Sequence, residues 1–482
     1  MRFACRLSSR DHGHYGCPVQ TIRQALAVVL VVAMLAVACQ SQATIDLGEG
    51  QAAGAPDQPA SPTVDVVPSA PTPTPTVDAA EPTDALDERV PFVGQAPSPP
   101  DAPAGWDTPF ELDGAVLQGQ LANGMSYLIR NNGRPGSQAQ LRMVVRAGSL
   151  NEEPGTEGVA HFLEHMMFNG TELFPGNEIV QVLESFGSGF GPDVNAYTSY
   201  EETVYELQVP TRSSATVQLG LDVLFQWATA ATIAPDDVVA ERGVVREELR
   251  RVVEPLSGRI SGQIRDVLLG GSDYLGRDPI GTADVVESMS EVELRAFYER
   301  WYRPELMTII AVGDFDIADM ESRIAATFVQ EPPVEPLDVP RFTTAPGPLV
   351  EPVFDVITDS EIQSTDVEVL WRLDRQPIQT PATLHAEFVA AMTMSMLNTR
   401  LFERLQGGDS VLLSANAGAG GFLANAQIAS LSATIDPAMA EVALDELLLE
   451  IERARQYGFT TDELDREIAA AQAQVTQQFA SS

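Results

Sequence analysis

The chain changes character near residue 105, and that change decides how much of it can build a core. Residues 40–105 hold 13 of the 34 prolines, ten acids and a single base, Arg89, with a PTPTPT run at 71–76. Such composition buries too little apolar surface to offset the entropy of ordering, so the segment reads as a disordered, Pro-rich acidic tether. The whole chain is 44% hydrophobic, which excludes wholesale disorder. The stretch beyond residue 105 is long enough for roughly two domains of about 150 residues each.

Upstream of the tether the chain reads as an address. Residues 1–24 carry Arg2, Arg6, Arg10 and Arg23 against Asp11, and an apolar run from Ala25 to Ala38 ends at Cys39. This pattern makes residues 1–39 a secretory signal peptide, and the run falls short of the ~20 residues a spanning helix needs. Leu35-Ala36-Val37-Ala38-Cys39 also resembles a bacterial lipobox, with Ala36 where Leu is usual. The expectation is an extracytoplasmic lipoprotein, acylated at Cys39 and held to a bacterial membrane by that anchor only.

All 29 basic residues are Arg, and the net charge of −39 resolves into +3 before residue 40, −9 on the tether and −33 beyond it. The acidity thus belongs to the folded part. It repels phosphate, so nucleic acid is excluded as a partner. All three cysteines precede residue 40. Disulfides, cysteine zinc sites and cysteine nucleophiles are therefore excluded from the folded part.

Strands and helices interleave there. Alternating segments at Phe110–Asn131, broken by a turn at Asn123-Gly124, and at Gln138–Ala147 read as strands. Helical periodicity covers 157–168, 177–186, 213–231, 236–253, 257–270, 291–302 and 317–328. Asn195–Pro210 reads as one strand rich in Tyr, Thr and Val, and Met307–Val312 as a short buried one. A Pro-rich break over 331–350 separates a first domain, 106–335, from a second, 345–482. The second has strands near 353–372, a helix near 382–406, a glycine-rich strand pair near 411–435 and helices at 438–456 and 461–479. Its order loosely echoes the first domain and stops before a closing strand, a weak internal duplication.

Three histidines lie beyond residue 105: His161, His165 and His385. Two share the pentapeptide His161-Phe162-Leu163-Glu164-His165, a concurrence improbable by chance. On a helix, positions i and i+4 share a face, so both imidazoles can bind one ion while Glu164 reaches a water that the ion activates. This order is the reverse of the commoner zinc-protease motif and marks the inverzincins. A third ligand is required. His385, beyond the break, reads as a packed or surface imidazole. Glu241 and Glu248 lie seven residues apart, two helical turns, on one face of the 236–253 helix, and Glu247 adjoins them.

HFLEHMMFNGT (161–171), FGPDVNAYTSYEETVYEL (190–207), ERGVVREELR (241–250) and FYERWYRPELMTIIAVGDFD (297–316) resemble the pitrilysin-like metallopeptidases, the family of insulin-degrading enzyme and mitochondrial processing peptidase. FPGNEIVQVLESFGSGFG (174–191) looks most like the long bacterial two-half zinc proteases of that family. The resemblance implies an α+β fold: two related layered domains, each an antiparallel-rich sheet with helices packed on it, the second incomplete. It implies one Zn²⁺ per chain held by His161, His165 and Glu248, with Glu164 as general base and Glu241 supporting the site from behind. The interval from His165 to Glu248 exceeds that of the shorter members, which the insertion after residue 173 explains; Glu241 would fit their spacing. Asn195-Ala196-Tyr197 matches the family's edge strand, to which substrate peptide adds as a further strand.

The expected function is a zinc metalloendopeptidase acting on peptides or unfolded segments outside the cytoplasm. The alternative is a non-catalytic or partner-dependent half of a two-part assembly, whose second half comes from the same gene product or a separate subunit. A third reading, a purely structural lipoprotein, would contain no stoichiometric zinc.

Overall fold

In the computed structural model, which describes residues 102–329, 337 and 352–481 apart from 135, 186, 187 and 190, the alternating segments become a six-stranded sheet. The expected signal peptide with Cys39, the expected tether up to residue 101 and the Pro-rich break lie outside the described residues, save Leu337. Strands β1 (Val116–Gln120), β2 (Ser126–Asn131), β3 (Gln138–Val145), β4 (Val194–Thr198), β5 (Thr203–Pro210) and β6 (Met307–Gly313) are ordered β1-β2-β6-β3-β5-β4. In β3, Ala139, Leu141, Met143 and Val145 are fully buried while Gln138, Gln140 and Arg142 face out, so one face looks into a core. The apolar β6 takes a central place, parallel to β2 and antiparallel to β3.

The single strand expected over Asn195–Pro210 is two. β4 and β5 form an antiparallel hairpin around Ser199–Glu202, although no Gly or Pro marks the turn. The reversal is closed by Ser199, whose hydroxyl accepts from the amides of Glu201 and Glu202 and whose own amide donates to the Glu202 carbonyl at 2.8 Å. A serine turn keeps the alternation of both arms, which is why periodicity alone runs through it.

Helices α1 (Val159–Met166), α2 (Glu178–Ser185), α3 (Ser214–Thr229), α4 (Pro235–Val253), α5 (Leu256–Leu269), α6 (Ala283–Ser288), α7 (Glu291–Trp301) and α8 (Ile317–Thr327) fall where the periodicity predicts, except α6, too short to show a period. Their apolar stripes bury Phe162, Leu224, Trp227 and Trp301 in one cluster with the β3 residues. At Gly220 a Cβ would stand 2.8 Å from Leu141 Cδ1, so a larger residue there would make the Leu141 side chain shift. A capping box at Ser290 and Glu293 starts α7, and Asp316 caps α8.

Further along, β7 (Thr365–Asp374), β8 (Leu412–Gly421) and β9 (Ala426–Ile435) form an antiparallel sheet ordered β7-β9-β8. The strand expected to begin near 353 starts only at Thr365. Residues 352–364 have no ladder partner among the described residues; Val353, Phe354 and Val356 are exposed, and Asp359 and Glu361 clamp Arg259 of α5 at 2.7 and 3.0 Å.

Residues 108–380 and 402–447 make one compact unit, which holds both sheets; residues 381–401 and 448–481, with Trp106, make another. In the second, drawn from α9 (Pro381–Gln406), α10 (Ala440–Tyr457) and α11 (Thr461–Ser481), Arg400 pairs with Glu463 at 2.5 Å and lies over the Phe459 ring at 4.3 Å. Antiparallel-rich sheets with packed helices make this an α+β protein, and no helix among the described residues is long and apolar enough to cross a membrane.

Candidate metal centre

Helix α1 is short, and its two faces have separate tasks. Val159, Ala160, Phe162, Leu163 and Met166 are buried in the core. Its start is held by Glu152, whose carboxylate accepts from the amides of Gly158 and Ala160 at 3.0 Å each. Just past its end, the Met167 carbonyl accepts from the Trp227 indole at 2.8 Å. The helical turn sets the His161 and His165 rings edge to face with centroids 4.8 Å apart. Helix α4 crosses nearby, anchored by buried Val238, Val245 and Leu249, and presents Glu241 and Glu248 from one side.

One ligand atom each from His161, His165 and Glu248 lie within 4.8 Å of one another. The carboxylate oxygens of Glu248 stand 3.6 Å from His161 Nε2 and 3.1 Å from His165 Nε2. A tetrahedral zinc with ligands at about 2.0–2.1 Å holds them about 3.3 Å apart, a value these distances bracket. Glu241 stands behind, its Oε1 2.9 Å from His165 Nδ1, while Asn169 Nδ2 donates to its other oxygen at 2.7 Å. Glu247 is turned away onto Arg250 and Arg251. His385 sits in the other unit, edge-on to Trp106 with ring centroids 5.2 Å apart.

The electrostatics suit a cation. Burial would hold the His165 imidazole down, yet hydrogen bonds to Glu241 and Glu248 outweigh it and push it up to about 9. The His161 imidazole, 3.6 Å away, and the hydrogen-bonded His165 hold the Glu248 carboxylate well below its usual range. The cluster's two nitrogens and one carboxylate match what zinc prefers. Glu164, only 7% exposed, is pushed up by burial, against the pull of His161 and Thr198. A cation beside it would draw it back down.

Asn195, Ala196 and Tyr197 lie on β4, which pairs only with β5 and so forms an edge of the sheet among the described residues. Asn195 and Tyr197 are exposed, Tyr197 by 46%. Two residues near the site are not singled out by the sequence. Asn169 follows the end of α1, four residues past His165, and Thr198 Oγ1 donates to Glu164 Oε2 at 2.6 Å. The first had a signal only in its nearness to the motif; the second, far from the motif in sequence, had none.

Against known proteins, the model of the insulinase family, peptidase family M16, matches residues 127–264, and that of the M16 inactive domain matches 288–471. The chain is 36% identical over 367 residues to the probable zinc protease PqqL of Escherichia coli, covering 73% of this chain and 38% of that protein. The crystal structure of the first half of the periplasmic protease PqqL from Escherichia coli matches with TM-score 0.67 and 33% identity, covering 74% of this chain and 76% of that one. Pitrilysin, at 18% identity, TM-score 0.54 and coverage of 73% and 37%, shares the fold. The chain spans 38% of the length of its first two curated relatives. By its matched models and its likeness to the PqqL first half, the chain belongs to the M16 peptidase family.

Proposed function

We propose that this chain is a zinc-dependent endopeptidase that hydrolyses peptides or unfolded segments outside the cytoplasm, binding one zinc per chain. The observation that carries it is the convergence of His161, His165 and Glu248 beside the buried Glu164. His161, His165 and Glu248 would hold the ion, and Glu241 would fix the His165 tautomer by accepting from Nδ1–H. Zinc, when bound, supplies Lewis acidity that polarises the scissile carbonyl and lowers the pKa of water towards ~7. Glu164 takes the proton from the attacking water and passes it to the leaving amine. The peptide lies along the open edge of β4 at Asn195–Tyr197, held by main-chain hydrogen bonds.

The proposal also comprises a signal peptide over 1–39, acylation at Cys39, a spacer over 40–105, and two related domains over 106–335 and 345–482. PqqL of Escherichia coli is a periplasmic protease, which supports the placement outside the cytoplasm. Glu164→Gln tests the mechanism: it should retain stoichiometric zinc and lose peptide hydrolysis by at least ~10²-fold, the scale of acid–base catalysis. Undiminished turnover would refute it.

A second reading rests on length, since the chain covers 38% of the Escherichia coli relative. In it the chain binds peptide but needs a second pitrilysin-type half for turnover. Peptidase assays with and without that half, from the same gene product or a separate subunit, separate the two.

A further inference from the structure

Thr198 closes β4, the strand that the proposed function gives to the peptide, and its hydroxyl donates to Glu164 Oε2 at 2.6 Å. Alternation along the strand explains why it can. Val194, Ala196 and Thr198 turn to the interior side, while Asn195 and Tyr197 turn outward. Its backbone is fixed: Thr198 pairs with Thr203, the Thr203 hydroxyl donates to the Ala147 carbonyl at 2.9 Å, and the Ser199 turn closes immediately after it. As a β-branched residue, threonine brings few rotamers of its own. Glutamate has three side-chain torsions, and a donor on one oxygen removes much of that freedom while leaving Oε1 for the reaction.

Resting on the proposed function, we infer that Thr198 is a positioning residue that holds the Glu164 carboxylate in register with the peptide on β4. Substrate and base then share one rigid reference, since the strand that aligns the peptide also orients the group that moves the proton. Losing the hydroxyl should slow the chemical step without weakening peptide or metal binding.

The experiment compares Thr198→Val, which keeps shape and loses the hydroxyl, with Thr198→Ser, which keeps the hydroxyl. Zinc content, KM and kcat are measured on the full chain, with the second half added if turnover requires it. Thr198→Val should keep stoichiometric zinc and a KM within about twofold while kcat falls about 10- to 100-fold, the worth of a hydrogen bond to a charged group. Thr198→Ser should recover most of that loss. Wild-type kcat in Thr198→Val, equal losses in both variants, or loss of zinc in Thr198→Val would each overturn the inference. Crystal structures of both variants report without turnover: Glu164 should leave the position that meets residue 198 in Thr198→Val and keep it in Thr198→Ser. An inactive wild type would thus refute the proposed function, whereas an unmoved Glu164 in Thr198→Val would refute this inference alone.

Discussion

The two sheets of the larger unit arrange their strands alike and carry different chemistry. β3, β5 and β4 are neighbours in the order that β7, β9 and β8 repeat, antiparallel throughout. After β3 the chain enters α1, eight residues with two histidines and a glutamate; after β7 it enters α9, 26 residues with one histidine. The outer strand differs as well. β4 offers Asn195, Tyr197 and Thr198, whereas β8 runs into Ala417-Gly418-Ala419-Gly420-Gly421, which carries no polar side chain. Strand order supplies a frame; the chemistry comes from the few residues set upon it.

The largest expected effect breaks the comparison at its histidines. His165→Ala should remove zinc from the purified chain, because it deletes one of the three converging ligand atoms. His385→Ala should leave the zinc content unchanged, since His385 packs against Trp106 in the other unit. Elemental analysis of both proteins decides. Metal loss on changing His385 would mean that the asymmetry between the two regions is misplaced.

Much of this asymmetry is visible in the sequence. The spacing of His161 and His165 needs only helical geometry, and the same holds for Glu241 and Glu248. What spacing cannot tell is which of several adjacent carboxylates turns inward. Glu247 and Glu248 are neighbours, yet one pairs with Arg250 and Arg251 and the other meets both imidazoles. That choice depends on how α4 lies against the core through Val238, Val245 and Leu249, a matter of tertiary packing. The Ser199 turn and Thr198 are hidden for a related reason. A hairpin closed by a serine hydroxyl preserves alternation, and a hydrogen bond across 34 positions leaves no periodic trace. The strand expected near 353 fails in the opposite direction, because an apolar run becomes a strand only where another strand pairs with it.

A smaller effect sharpens the comparison within α4. Glu241→Gln should weaken zinc binding about 10- to 100-fold, the usual cost of removing a carboxylate behind a metal-ligating histidine. Glu247→Gln should leave affinity unchanged, as its partners are Arg250 and Arg251. Competition with a chromophoric chelator measures both. Equal weakening would show that the helix as a whole, and not the Glu241–His165 hydrogen bond, sustains the site.

The last contrast sets against each other two glutamates that each hold a helix start. Glu152, at α1, is buried, and burial pushes its carboxyl up to about 8 against the pull of the Gly158 and Ala160 amides. Glu463, in the first turn of α11, accepts from Arg400 and from the Thr460 amide, and Arg400 holds it down at about 2. The signs are opposite. Between about 4.5 and 8 the folded chain keeps a proton on Glu152 that the unfolded chain releases, so stability falls as pH rises through that window. Between about 4.5 and 2 the unfolded chain takes up a proton that folded Glu463 refuses, so stability falls as pH drops. A tenfold change in proton affinity is worth about 1.4 kcal/mol, or roughly 3–6 °C in Tm for domains of this size. Glutamine mimics the protonated acid. Glu152→Gln should therefore gain on the wild type as pH rises from 5 to about 9, and Glu463→Gln should lose ground as pH rises from about 3 to 6. Thermal melts across both ranges test the pair, and parallel trends would show that burial and the arginine contact do not set these two carboxylates apart.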